Sequence, residues 1–117
     1  MRPEDVLVAL VDAGVVLWVD AGQLRFRAPA GALDIGLRDQ VAGCRNVVVA
    51  LVRAGAVLPS GVSDWPSVQR DDFEERAGLL EFDGGLARAA AEIEAERMVR
   101  SAFTRAFVQR ALPRSSL

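Results

Sequence analysis

The side chains best suited to chemistry in this sequence lie in the stretch LWVDAGQLRFRAP, residues 17–29. Its alternation predicts two short strands with Trp18, Arg25 and Arg27 on one outward face. A guanidinium group binds a carboxylate through two hydrogen bonds, and an indole ring offers a flat apolar surface with cation–π potential. This set predicts recognition of an acidic partner. Two alternatives are a Trp stacked between its own arginines and a Trp covered by residues 56–112.

Several residue types that catalysis usually needs are missing. The chain has no His and no Tyr, and all 14 of its basic residues are Arg. The commonest general base, the commonest transition-metal ligand and the lysine of Schiff-base chemistry are therefore absent. A single cysteine, Cys44, cannot build a zinc site and fits a reducing compartment. We therefore expect neither an enzyme nor a cofactor.

An acidic run follows in the second half of the chain. Its members are Asp71, Asp72, Glu74 and Glu75. At helical spacing these carboxylates fan around the axis, whereas a magnesium or calcium site needs several converging oxygens. Asp83 before two glycines is ordinary turn chemistry. The sequence therefore predicts a solvated helix face and no metal site.

The net charge of −2 conceals a segregation of charge along the chain. Residues 64–85 carry seven acids against two arginines, and residues 86–117 carry six arginines against three glutamates. Five of those late arginines suggest a basic face: Arg97, Arg100, Arg105, Arg110 and Arg114. Without Lys, and beside an acidic segment, they are a weak nucleic-acid signature, and pairing with the acids is the favoured interpretation.

The N-terminal elements have clear signals. Pro3 suits the first turn of a helix and the acids after it suit its dipole, so a helix over about 3–13 is predicted, ending at Gly14. Period-two alternation then predicts a hairpin around residues 20–23, with one left-handed turn residue. Four side chains are expected to face the core: Leu17, Val19, Leu24 and Phe26.

The remaining segments are predicted to be helical. Asp34 is suited to cap a helix over about 35–42, and a second helix should end at Gly55, although its four valines weaken that prediction. Pro and Gly give residues 56–63 the composition of a linker.

The predicted organisation has two parts. Residues 1–55 form an α-β-β-α-α module, and residues 64–117 form a two-helix extension. The extension comprises an acidic helix over about 66–82 and a basic helix over about 86–112. This order of elements predicts a small α+β fold.

The N-terminal half resembles the TubC-type N-terminal docking domain, the β-hairpin docking family of nonribosomal peptide and polyketide synthetases. The resemblance spans about residues 4–53. It rests on these positions: Leu10, Gly14, Val15, Leu17, Gly22, Leu24, Phe26, Ala28, Pro29, Gly31, Leu33 and Leu37. Residues of about 64–95 are similar to an uncharacterised C-terminal segment found in bacterial genomes, plasmids and phages.

The resemblance implies a module that accepts a short peptide from a partner protein as an added strand. Carried onto this sequence, the accepting strand is Leu24 to Ala28, and its outward arginines read acids in the peptide. The expected partner-binding residues are Trp18, Leu24, Arg25, Phe26, Arg27 and Ala28.

The function expected from the sequence is therefore non-catalytic docking of an acidic protein or peptide. One alternative is an accessory protein of a mobile genetic element that acts on a nucleoprotein or defence complex. Another is a homo-oligomer, such as a homodimer, built on Phe103 and Phe107 of the last helix. An acidic N-terminal start and the lack of a long apolar run predict a cytoplasmic protein without a membrane segment.

Overall fold

The structure is a computed structural model that describes residues 2–111. The first helix, α1, spans Pro3–Asp12, with proline in its first turn and Glu4 and Asp5 beside its positive end. It stops because Gly14 takes a left-handed conformation, with φ of 90°.

A two-stranded antiparallel hairpin follows. Strand β1 spans Val16–Asp20 and strand β2 spans Gln23–Arg27. Ala21 and Gly22 form the turn with φ of 52° and 78°, so both turn residues are left-handed, where the sequence predicted one. Two positive φ angles define the turn whose twist matches that of the strands, although alanine adopts this conformation reluctantly.

Two short helices complete the N-terminal half. Helix α2 spans Ile35–Gly43, and the carboxylate of Asp34 caps it by accepting a 2.8 Å hydrogen bond from the Leu37 amide. Helix α3 spans Arg45–Arg53. The valines of α3 do not prevent a helix, because Val48 is buried in a shared cluster and packing outweighs its low propensity.

The C-terminal half is an antiparallel helical pair. A single turn of 3-10 helix, Val62–Asp64, precedes α4, which spans Ser67–Phe82. Helix α5 spans Arg88–Ala111. The end of the predicted basic helix and Arg114 lie outside the described residues. No helix in the described range 2–111 is long and apolar enough to cross a membrane.

Helix α5 packs against both α4 and α1, so it joins two hydrophobic clusters. The first cluster contains Leu7, Leu17 and Val48, and Phe107 of α5 packs on it. The second cluster contains Leu58, Trp65, Phe73 and Val99, and Phe103 packs on it. Both rings that were considered for an oligomer contact are therefore used within the chain.

Polar contacts reinforce the packing of α1 on α5. Asp12, at the negative end of α1, accepts hydrogen bonds from the Ser101 hydroxyl and the Arg105 guanidinium group. These partners offset the unfavourable placement of a carboxylate at a helix C-terminus. One hairpin with five surrounding helices confirms the predicted α+β fold.

Candidate functional site

The outer edge of β2 is the most distinctive feature of the N-terminal half. The register pairs Trp18 with Arg25 and Leu17 with Phe26 across the hairpin. A two-residue turn closes with a hydrogen-bonded pair, so alternation directs the N–H and C=O groups of Leu24 and Phe26 away from β1. Within residues 2–111, no backbone hydrogen bond outside the helices and the hairpin involves residues 24–27. These groups are available to a third strand.

The helix-facing side of the hairpin borders an apolar groove of about 400 Å³. The hairpin contributes Leu17, Leu24 and Phe26, and α2 contributes Val41. Two arginines, Arg38 of α2 and Arg45 of α3, also line it. We call this feature the apolar groove. It offers burial for apolar side chains beside a strand edge that offers hydrogen bonds.

The groove corrects one prediction about the core. Leu17 is buried as expected, but Val19 and Leu24 are only half-buried and Phe26 is 53% exposed. The reason is that α2 and α3 do not close over the end of the hairpin, so Phe26 lines the groove instead of filling the core. Of the predicted site residues on this side, Ala28 lies just beyond β2 and is half-buried against the first cluster.

The opposite face of the hairpin carries Trp18, Arg25 and Arg27, as the alternation predicted. Trp18 is half-buried, and it lines a second, shallower depression with Pro59 and Arg53. Arg27 donates a long hydrogen bond of 3.4 Å to the carbonyl of Ser60, whereas the side chain of Arg25 makes no hydrogen bond or ion pair within residues 2–111. Residues 56–63, here called the connecting segment, therefore cover part of this face and leave Arg25 accessible.

Arg100 fixes that connecting segment. Only 5% of Arg100 is exposed, and its guanidinium donates to the carbonyls of Pro59 and Ser60 at 3.1 and 3.0 Å. It also pairs with Glu96 at 2.9 Å and lies 5.0 Å from the centre of the Trp65 ring. Burial lowers the pKa of Arg100, while the hydrogen bond to Glu96 opposes that shift. Arg100 therefore acts as a structural clamp.

The other basic residues of α5 are also used within the chain. Arg97 pairs with Glu94, and this hydrogen bond lowers the pKa of the Glu94 carboxyl. Arg105 pairs with Asp12. Of the five arginines considered for nucleic acid, Arg110 is exposed without an ion pair inside the described chain. Most arginines of the predicted basic face therefore form ion pairs within the chain.

The sequence did not identify two parts of this region. Arg38 and Arg45 are seven residues apart in separate helices, and only the bend between α2 and α3 brings both to the groove. The buried clamp at Arg100 was also missed, because an arginine four residues after a glutamate on a charged helix has the pattern of a surface ion pair.

Comparison with known protein families gives one finding that bears on this geometry. The family model described as the TubC N-terminal docking domain matches residues 4–53, which span α1, the hairpin, α2 and α3. Comparison with curated proteins and with solved structures gives no significant match. The family indicates a role in protein–protein docking. The match confirms the resemblance to this family that the sequence predicted over about residues 4–53.

Proposed function

We propose that this chain is a non-catalytic docking protein that accepts an extended acidic segment of a partner protein along β2. The observation that carries the proposal is the unpaired β2 edge beside the apolar groove, with arginines on both sides of the strand. Strand addition uses main-chain hydrogen bonds for affinity and alternate side-chain contacts for selectivity.

The two faces of the hairpin define the kind of peptide that fits. Successive side chains of an added strand point to opposite faces of the sheet. One set would enter the apolar groove beside Leu24 and Phe26. The other set would lie beside Arg25 and Arg27, with Trp18 as the apolar neighbour of Arg25. The proposed ligand therefore alternates apolar and acidic residues.

The strength of this contact follows from its exposure. Arg25 and Arg27 are both exposed, and exposed ion pairs contribute roughly 0–1 kcal/mol each. Affinity is therefore modest and falls as salt screens the charges. Part of the specificity comes from acidic residues of the partner opposite the two arginines, because a basic residue at the same position would be repelled.

The test is an NMR titration of the full chain with a synthetic peptide of about ten residues, enough to cover β2, in which Leu and Asp alternate. We expect shift changes centred on residues 24–28. Arg25→Glu/Arg27→Glu should weaken binding about tenfold or more, because two attractions become repulsions. Replacing each Asp of the peptide by Lys should abolish binding to the wild-type protein.

The matched control is Arg70→Glu/Arg110→Glu. Both arginines are exposed, neither forms an ion pair within residues 2–111, and the change in net charge is the same. This variant should bind the peptide like the wild type. Equal weakening by both double variants would reduce the effect to net charge, and shift changes that avoid β2 would refute strand addition.

A further inference from the structure

Helix α4 has an outward face that the chain does not use. Val68, Leu79 and Phe82 are 71%, 53% and 82% exposed. Their spacing places them on one side of a helix with 3.6 residues per turn. The opposite side of α4 buries Phe73 and Ala77 in the second cluster. Exposed large apolar residues aligned on one helix face mark an interaction surface.

Acidic residues lie within the same face. Asp71 and Glu75 are one and two turns along from Val68, and both are exposed. Neither makes an ion pair within residues 2–111, whereas Asp72 is held by Arg76 at 2.9 Å. We call the five residues Val68, Asp71, Glu75, Leu79 and Phe82 the α4 stripe. Its chemistry is apolar and acidic.

The apolar groove has the complementary chemistry. Its apolar lining is flanked by Arg38 and Arg45, which are exposed and make no ion pair within residues 2–111. Its volume of about 400 Å³ lies within the range of small-ligand pockets, enough for large apolar side chains. No residue of α4 lines this groove, so the chain does not fill its own groove with the stripe.

We propose that the α4 stripe of one copy docks in the apolar groove of a second copy. Phe82 and Leu79 would bury their side chains in the groove, and Asp71 and Glu75 would face Arg38 and Arg45. This is the mode in which one face of a helix lies in a groove. It goes beyond the proposed function, since it uses a helix as the occupant and needs no hydrogen bond to β2.

The contact joins two different surfaces, so it is heterologous. Each copy that donates a stripe keeps an empty groove, and chains of copies grow unless the rotation closes a ring. The fraction of associated protein should increase with protein concentration, and the affinity should decrease as salt screens the charges. A partner peptide on β2 would compete for the groove, because Leu24 and Phe26 belong to both sites.

A complementation experiment by sedimentation equilibrium tests this model. Leu79→Ser/Phe82→Ser removes the stripe, and Arg38→Glu/Arg45→Glu removes the groove. The wild-type mass should rise with concentration, and each variant alone should associate about 10- to 100-fold more weakly, since buried apolar area is lost or charges repel. Their mixture should form a one-to-one heterodimer and nothing larger, because each variant retains the half that the other lacks.

Three results would overturn the proposal: a wild-type protein that stays monomeric at all concentrations, variants that associate unchanged, or a mixture of variants that stays monomeric. The first result would indicate that the stripe serves a basic partner of another kind, and the last would indicate a symmetric contact in which each copy needs both surfaces. All four substituted residues are more than half exposed or lie at the groove rim, and circular dichroism checks that each variant is folded.

The outcome is independent of the strand-addition test. Arg25→Glu/Arg27→Glu should self-associate like the wild type, because neither residue lines the groove. Leu79→Ser/Phe82→Ser should bind the alternating Leu–Asp peptide at least as tightly as the wild type, because its groove is not occupied by a stripe. A failed peptide titration would therefore not contradict the self-association model. Likewise, absence of self-association would not contradict strand addition.

Discussion

At the residue scale, arginine has two separate uses in this chain, and burial distinguishes them. Arg100 is nearly inaccessible, its guanidinium donates to backbone carbonyls and to Glu96, and it lies against the Trp65 ring. Arg25, Arg38 and Arg45 are exposed and have no ion pair within the described residues. Arginine suits both uses because its planar group is always charged and carries five donors. The proposed recognition uses arginines that make no ion pair within the described residues.

Replacing Arg100 by Lys tests the structural use. Lysine keeps the charge but lacks the planar fork, so the carbonyls of residues 58–60 lose donors in a buried site. We expect a loss of about 2–4 kcal/mol in the free energy of unfolding, measured with urea. The control Arg110→Lys, on the exposed end of α5, should change it by less than about 0.5 kcal/mol. Equal effects would argue against a clamp.

Ala21 offers a prediction of the opposite sign. Its φ of 52° is costly for alanine, whereas Asn tolerates this region and precedes Gly in the favoured hairpin turn. Ala21→Asn should raise the free energy of unfolding by about 1 kcal/mol. Ala21→Val should lower it, because a branched side chain resists a positive φ. Thermal unfolding of both variants measures these changes in stability. An Ala21→Val variant more stable than the wild type would contradict the prediction.

At the scale of elements, the charges of α5 give a pH dependence. The hydrogen bond from Arg97 lowers the pKa of Glu94 in the folded chain. A lowered carboxyl pKa stabilises the fold above the unfolded value of about 4.3, and this contribution disappears as the pH falls through the folded pKa. Because the pair is partly exposed, the contribution should stay below about 1 kcal/mol.

The measurement is urea unfolding of the wild type and Glu94→Gln at about pH 7 and about pH 3, on either side of the carboxyl titration. The wild type should be the more stable at neutral pH, and the difference should vanish in acid. Glu75→Gln is the control, since Glu75 has no ion pair within residues 2–111. A difference that persists in acid would show that Glu94 acts through packing.

At the scale of the whole molecule, α5 should make the two clusters unfold together. It contacts α1 and α4, and Arg100 and Thr104 of α5 hold the connecting segment at Ser60 and Ala56. We therefore propose that residues 1–55 and the extension form one cooperative unit in spite of the linker-like composition between them.

Amide hydrogen exchange measures this coupling. Leu58 is buried in the second cluster, and Leu58→Ala should cost about 2–5 kcal/mol. If α5 couples the clusters, the slowest amides of α1 and α4 should lose the same protection. Loss of protection in α4 alone would show that residues 1–55 fold independently of the extension.

Short-range patterns in the sequence were enough to predict the local structure of this protein. Alternation predicted the hairpin and placed Trp18, Arg25 and Arg27 on one face, because side-chain direction in a strand follows from the backbone alone. Capping at Asp34 and the acid-rich start of α1 are equally local. The docking family was recognisable for the same reason, since turn and cap residues occupy fixed positions in the chain.

Tertiary structure decided how these local elements cover one another. The spacing of Phe26 indicated a buried side chain, but its exposure depends on how far α2 and α3 extend over the hairpin. The spacing of Arg100 indicated a surface residue, but the segment at residues 58–60 folds over it. Both outcomes depend on contacts between residues far apart in sequence, and no local period encodes such contacts.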